Sequence, residues 1–149
     1  MGAFEASNPA FAERVRDSFG RQGAMRLLGA QLCRVAPGEC EIRLAHRRDL
    51  TQQHGYFHGG IVGTIADSAG GYAAFTLMPA DSSVLTVEYK LNLLAPADGE
   101  ALVARARVVK AGRTLVVAAI DVAVSKGERE TLCATSLQTL MTMHGRPDR

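Results

Sequence analysis

The amino-acid sequence predicts an α+β fold in which one long central helix is followed by consecutive antiparallel strands. The helix is indicated by residues 55–74, GYFHGGIVGTIADSAGGYAA, where apolar residues recur at helical spacing. Strands are indicated downstream by apolar segments separated by the turn signals PADG, AGR and KGE. These strand segments cover about 83–94, 100–111, 113–125 and 129–142. The chain has 149 residues, which suits a single domain over 1–149 with one core.

Composition narrows the classes of protein that need to be considered. Apolar residues make up 47% of the chain and charged residues 21%, which is typical of a globular domain. A net charge of +2 is too small to indicate nucleic-acid binding. The three cysteines have no CxxC spacing, and no apolar window is long enough to span a membrane. We therefore expect a cytoplasmic protein with reduced thiols, no structural zinc site and no membrane partner.

The segments before the central helix predict an additional helix and a strand pair. Asn8 and Pro9 have the pattern of an N-cap and a first helical residue, and this helix is expected to end near Gly20 within an N-terminal extension over 1–26. The segments LLGAQLCRV (27–35) and CEIRLAH (40–46) are typical of strands, and the turn signal APGE lies between them. Residues 47–57 are polar and contain glycine, so they are expected to form a loop.

The central helix carries two distinct stripes of residues. Its larger apolar side chains lie at helical spacing: Ile61, Ile65, Ala69 and Tyr72. Its small residues form a second stripe, which includes a single carboxylate: Gly60, Gly63, Asp67, Gly71 and Ala74. Each glycine weakens an isolated helix by about 1 kcal/mol relative to alanine, a cost explained if another backbone approaches closely. A carboxylate among small and apolar residues costs free energy unless it is paired with another group or has a role in function.

The position of Asp67 along the helix predicts a site shared between two chains. The helix start near Gly59 and Gly60 offers unpaired N–H groups and the positive end of the helix dipole, which suit a developing oxyanion. Asp67 lies about two turns further on, roughly 10 Å away. The N–H donor and the Asp67 carboxylate must nevertheless both approach the same substrate carbonyl. Two helices that run antiparallel about a two-fold axis would bring Gly60 of one chain to Asp67 of the other.

The segment HGGIVGTIADSAGGYAAF resembles the signature of hotdog-fold acyl-CoA thioesterases of the PaaI-like (phenylacetic acid degradation) group, with His58 and Asp67 at the family's spacing. The segment LTVEYKLNLLAP resembles the family strand that follows the helix and ends in proline, here Pro96. KAGRTLVVAAIDVAV resembles the family strand pair whose turn lies near coenzyme A. The resemblance covers about 27–143 and implies a hotdog fold, in which an antiparallel sheet wraps around the central helix.

The resemblance implies a role for each residue that matches the family motif. Asp67 matches the general base or nucleophile that acts on the thioester carbonyl, and the amide of Gly60 matches the group that binds the carbonyl oxygen. His58 matches the loop histidine that shapes the turn and orients this region. Whether Asp67 attacks the carbonyl directly or activates water stays open.

The remaining implied residues position water or bind coenzyme A. Gln52, with Gln53 beside it, stands where the family commonly has asparagine, and Thr86 matches a hydroxyl residue that holds the attacking water. The coenzyme A contacts are implied at Lys110, Gly112, Arg113 and Thr114. Each has a structural alternative, because a turn histidine, a strand threonine and solvated turn cations occur without any catalytic role.

Other enzyme classes lack their motifs in this sequence. No HExxH, GxSxG, GxGxxG or P-loop pattern occurs, so we expect no metal and no cofactor beyond the coenzyme A of the substrate. The alternative function is a non-catalytic acyl-CoA binding or sensing protein with the same fold. Aryl-acetyl, aliphatic and 3-hydroxyacyl groups all remain open. The family implies a homodimer with shared sites, and usually a homotetramer.

Overall fold

A computed structural model describes residues 4–148. The helices are α1 (Phe11–Arg21), α2 (Gly23–Leu28) and α3 (Gly59–Phe75), with a short 3-10 turn at Arg48–Leu50. The strands are β1 (Gln31–Ala36), β2 (Glu39–Ala45), β3 (Ser83–Leu93), β4 (Ala101–Ala111), β5 (Leu115–Lys126) and β6 (Arg129–Met143). The predicted α+β class is confirmed. None of the helices in the described part of the chain is both long enough and apolar enough to cross a membrane.

The strands form one six-stranded sheet in the order β1-β2-β4-β5-β6-β3. Every neighbouring pair is antiparallel, and α3 packs across β2 to β6. Strand β3 lies at one edge and pairs only with β6 among the described strands. The predicted sheet around a long helix is therefore present, with β3 leaving one row of backbone groups without a partner.

The core lies between α3 and the inner face of the sheet. Ile65 and Ala69 on the predicted apolar stripe of α3 are fully buried, as is Leu102 on β4. On β2, Ile42 is buried while the neighbouring Arg43 is exposed, which confirms the alternation expected of a half-buried strand. The helix therefore meets the sheet through its large apolar side chains.

The first strand begins later than the sequence predicted, and the assignment of Leu27 and Leu28 to it is wrong. Both residues belong to α2, which ends at Leu28 and is capped by Gly29. Gly29 has φ 73°, a left-handed conformation that terminates helices and suits glycine. The strand then starts at Gln31, because the chain needs this cap before it can extend.

The N-terminal helix begins at Phe11, slightly after the predicted start at Pro9. Asn8 still organises this end of the helix, since its Oδ1 accepts a hydrogen bond from the amide of Ala10 at 3.0 Å. The helix is fastened to the end of α3 by Arg14. Its guanidinium donates to the carbonyl oxygens of Met78, at 3.1 Å, and Pro79, at 2.8 Å, and its Cζ lies 3.8 Å from the centre of the Phe75 ring.

Candidate active site

His58 forms the N-cap of α3. Its backbone is extended (φ −65°, ψ 137°), and its Nδ1 atom accepts a hydrogen bond from the amide of Gly60 at 2.9 Å. The His58 carbonyl oxygen accepts from the amides of Ile61, at 2.9 Å, and Val62, at 3.1 Å. His58 thus pairs the amides of Gly60 and Ile61, two of the N–H groups that a helix start leaves without an intrahelical partner.

The amide of Gly59 is the N–H at the start of α3 that has no acceptor among residues 4–148. The resemblance implied the amide of Gly60 as the donor to the carbonyl oxygen, and that assignment stays a prediction. An amide carries one proton, and the proton of Gly60 is already committed to His58. Gly60 could bind a carbonyl oxygen only after His58 turned away, whereas Gly59 needs no rearrangement.

Asp67 lies eight residues beyond Gly59 and is half-buried. Two side chains donate hydrogen bonds to the same oxygen of its carboxylate. Its Oδ1 atom accepts a hydrogen bond from Thr86 Oγ1 at 2.7 Å and another from Gln138 Nε2 at 2.6 Å. Thr86 and Asp67, two separate site candidates from the sequence, are therefore in direct contact. No described residue donates to the Oδ2 atom of Asp67.

Gln138 on β6 is a site residue that the sequence analysis missed. Its side chain is completely buried, and Nε2 lies 3.0 Å from Thr86 Oγ1 as well as next to Asp67. The other buried residues on the inner face of β6 are small or apolar, or carry a short hydroxyl side chain: Ala134, Ser136, Leu140 and Thr142. A long amide at an inward position of such a strand is the sequence signal that could have identified it.

The glycines of α3 are approached by side chains of the sheet. An added Cβ on Gly59 would lie 2.9 Å from Leu93 Cδ1, and one on Gly63 would lie 3.3 Å from Leu91 Cδ2. A second backbone was expected along the small-residue stripe; within the described chain an added Cβ on Gly71 would lie 3.8 Å from Leu140 Cδ2 of β6. The glycines at 59, 63 and 71 thus allow side chains of β3 and β6 to lie close to α3.

The site residues of one chain are divided between two cavities. One cavity, of about 500 Å³, contains Asp67, Thr86 and Leu85 in its wall, together with residues of α1 such as Ser18. Burial raises the pKa of Tyr72 in the same wall, so that its hydroxyl stays neutral. Neither Gly59 nor Gly60 lines this cavity.

The second cavity, of about 490 Å³, lies at the start of α3. Gly59 and Gln52 line it, together with apolar residues that include Leu93 and Leu94. Gln53 is exposed and is not part of the lining. Of the two glutamines considered from the sequence, only Gln52 lines the same cavity as Gly59, whose amide is free. The Oε1 atom of Gln52 accepts a hydrogen bond from the amide of His54.

The outer part of β3 exposes an unusual number of large apolar side chains. The exposed fractions are 55% for Leu85, 53% for Val87, 45% for Tyr89 and 59% for Leu93. These residues belong to the edge strand; Leu85 lines the first cavity and Leu93 lines the second. An apolar edge strand of this kind is unfavourable in water unless another chain covers it.

The turn between β4 and β5 holds the residues that the resemblance connects with coenzyme A. The amide of Gly112 donates to the carbonyl oxygen of Leu115 at 2.8 Å, and an added Cβ would lie 2.7 Å from that oxygen, so only glycine fits. The carbonyl oxygen of Thr114 accepts from the amide of Thr142 at 2.8 Å. Lys110 and Arg113 are exposed, and neither forms an ion pair with another described residue.

The chain is similar to known proteins both in sequence and in structure. Residues 54–131 match the model of the thioesterase superfamily. A proposed esterase of Halobacterium salinarum is 32% identical over 127 residues, which cover 82% of each chain. The crystal structure of a thioesterase family protein from Silicibacter pomeroyi superposes with a TM-score of 0.89 and 50% identity, covering 91% of this chain and 99% of that one. The PaaI protein of the E. coli phenylacetic acid degradation operon has a TM-score of 0.82 at 17% identity, covering 92% and 96% of the two chains, and so agrees in fold.

Proposed function

The chain belongs to the thioesterase superfamily, and from this premise we propose that it is an acyl-CoA thioesterase, which hydrolyses a thioester to a free acid and coenzyme A. Its sheet and central helix are those of a PaaI-like hotdog thioesterase. The observation that carries the proposal is the Asp67 carboxylate, which is held by Thr86 and Gln138 at the wall of a cavity. A protein that only binds acyl-CoA gains nothing from an anion beside the electron-rich thioester.

Two reaction routes are compatible with Asp67. As a general base, it takes a proton from water while the water oxygen attacks the carbonyl carbon, and the tetrahedral intermediate then expels the coenzyme A thiolate, which takes up the proton. As a nucleophile, it attacks the carbonyl carbon itself and releases the thiolate from a mixed anhydride, which water hydrolyses. In both routes negative charge develops on the carbonyl oxygen and requires a donor.

We assign that donor to the free amide of Gly59. It lies at the first turn of α3, where the helix dipole also favours negative charge, and it needs no change at His58. One such donor is worth about 100-fold in rate in other enzymes. The amide of Gly60 is the alternative donor, and it requires His58 to release its hydrogen bond.

A homodimer would unite the two groups. Antiparallel pairing of β3 with β3 of a second copy about Tyr89 places Leu93 of one chain opposite Leu85 of the other. Leu93 borders the Gly59 cavity and Leu85 borders the Asp67 cavity, so this pairing joins the two halves of the site. It also covers the exposed apolar edge. We propose this homodimer, assembled further into a homotetramer.

Lys110 and Arg113 are proposed to attract the phosphates of coenzyme A. Both are exposed cations beside the tight turn at Gly112 and have no protein anion as partner among the described residues. Contacts of this type are long-ranged and weakened by salt. We also propose a cytoplasmic location, which the three free cysteines support because disulfides are rare there.

The proposed function is tested by thiol release from a panel of aryl-acetyl-, aliphatic and 3-hydroxyacyl-CoA thioesters. Cys33 is exposed and would react with a thiol dye, so the assay uses a Cys33→Ser background. We expect turnover of at least one class and a loss of at least about 100-fold in kcat for Asp67→Asn, the scale of a positioned acid–base group.

Asp121→Asn is the matched control, because Asp121 is an exposed carboxylate that also accepts a hydrogen bond from a threonine, Thr135, at 2.9 Å. It should retain wild-type activity. Acyl-CoA binding without turnover by the wild-type protein would instead support the alternative function, a binding or sensing protein.

A further inference from the structure

We propose that Gln138 is a positioning residue of the active site, which fixes one oxygen of Asp67 and thereby selects the other as the reacting oxygen. The inference rests on the proposed function, since it assigns roles to the two oxygens of the proposed base or nucleophile. It starts from a feature that folding alone does not explain, which is a completely buried amide whose oxygen has no hydrogen-bond partner among the described residues.

The Gln138 amide is oriented by the groups around it. Nε2 lies 2.6 Å from Asp67 Oδ1, 3.2 Å from the backbone carbonyl oxygen of Asp67 and 3.0 Å from Thr86 Oγ1. All three are atoms that can accept a hydrogen bond. The reverse orientation would place Oε1 against the carboxylate, acceptor against acceptor. The N–H side of Gln138 therefore faces Asp67.

The other end of the same amide has no partner. Gln138 Oε1 is buried and accepts no hydrogen bond from any described residue. It packs against Gly70 of α3, where an added Cβ would overlap Oε1, and the same Cβ would lie 3.0 Å from Ile120 Cδ1. An unpaired buried acceptor destabilises a fold, so an apolar side chain here would serve stability better. Residues that lower the stability of the fold in this way are expected at functional sites.

The consequence for the reaction is a carboxylate with two unlike oxygens. Thr86 and Gln138 both donate to Oδ1, which leaves Oδ2 as the oxygen without a donor among the described residues. Oδ2 is free to accept a proton from water or to attack the carbonyl carbon. Because Oδ1 is held from two elements, β3 and β6, the carboxylate cannot rotate without breaking both hydrogen bonds.

The experiment compares Gln138→Met, Gln138→Glu and the control Ser136→Ala. Methionine fills similar space without a donor, and glutamate keeps the shape but replaces the donor by an acceptor. Ser136 is buried on the same face of β6 but forms no hydrogen bond with Asp67 in the described structure, so its variant measures the effect of altering this strand. The readouts are kcat and KM separately, the melting temperature, and the crystal structure of each variant.

We expect both Gln138 variants to lose at least about tenfold in kcat with KM within about twofold, the pattern of a positioning effect on the chemical step. Gln138→Met should melt at the wild-type temperature or higher, because the unpaired oxygen is gone. Ser136→Ala should keep its kcat. The Asp67 carboxylate should be rotated away from its wild-type orientation in both Gln138 variants.

A kcat within about threefold of wild type in Gln138→Met would overturn the inference, as would an unchanged Asp67 orientation in its crystal structure. A loss of kcat that follows the melting temperature in all three variants would show a structural role only. If the wild-type protein hydrolyses no acyl-CoA, the proposed function fails, and the orientation of Asp67 in the crystal structures still decides whether Gln138 positions it.

Discussion

His58 Nδ1 accepts the hydrogen bond of the Gly60 amide at 2.9 Å, and this one contact determines which backbone donor remains free at the start of α3. The histidine caps the helix, and its neighbour Gly59 keeps an N–H without an acceptor in the described structure. The HGG sequence thereby separates two tasks. The histidine and the second glycine secure the turn, and we propose that the N–H of the first glycine is available to the substrate.

Replacing Gly59 by proline should remove the oxyanion donor while leaving the helix intact. His58 already has the extended backbone that must precede proline, and proline is favoured at the first helical position. We expect Gly59→Pro to lower kcat by about 100-fold, the scale of one lost donor.

Gly59→Ala is the control, because it adds a comparable Cβ contact with Leu93 Cδ1 at 2.9 Å but keeps the N–H. The alanine variant should remain active, since the end of the leucine side chain can move. Equal kcat for the proline and alanine variants would contradict the assignment of Gly59.

Arg113→Ala should weaken binding of the coenzyme A nucleotide. We expect KM for an acyl-CoA to rise by about fivefold, as one lost surface ion contact allows, and the effect to shrink at high salt. An acyl-pantetheine substrate, which lacks the nucleotide phosphates, should be almost unaffected. Arg16→Ala removes an exposed cation on α1 and is the control. A similar rise in KM for both substrates would indicate that Arg113 only supports the turn.

Stability should fall in alkaline solution partly because of Cys40. Burial raises the pKa of this thiol from 9.0 to about 12. The unfolded chain therefore loses the proton first, and the stabilisation present below pH 9 is lost progressively as the pH rises towards 12. From pH 8 to pH 10 this group should remove about 1.4 kcal/mol from the free energy of unfolding.

The measurement for Cys40 is urea unfolding of the wild-type protein and Cys40→Ala at both pH values. The alanine variant is expected to be less stable throughout, because it leaves a cavity, but to lose less stability between the two pH values. Parallel losses in the two proteins would mean that Cys40 does not titrate as described.

The sequence was sufficient for those parts of the fold that follow a local pattern. The apolar stripe of α3 and the alternation on β2 both appear where periodicity placed them, because each element buries one face. The start of β1 was misplaced because Leu27 and Leu28 suit a strand as well as a short helix. The left-handed cap at Gly29 decides between them, and apolar periodicity does not describe it.

The candidate site was predictable where it follows one motif and not where it depends on contacts across the sheet. Asp67 and His58 could be found from the spacing of the HGG segment. The contact between Asp67 and Gln138 could not, because it joins α3 to the last strand through tertiary packing. The choice between the amides of Gly59 and Gly60 also required side-chain geometry, since it depends on which of the two His58 binds.

The central claim is that hydrolysis takes place at a site built by Gly59 of one chain and Asp67 of another. The direct measurement is complementation between two inactive variants, Asp67→Asn and Gly59→Pro, mixed under conditions that allow subunits to exchange. Each hybrid dimer would contain one site with an intact Gly59 from the first chain and an intact Asp67 from the second. We predict that hybrids regain about half of the wild-type activity per dimer. Hybrid dimers that are detected by mass spectrometry but remain inactive would contradict the shared site.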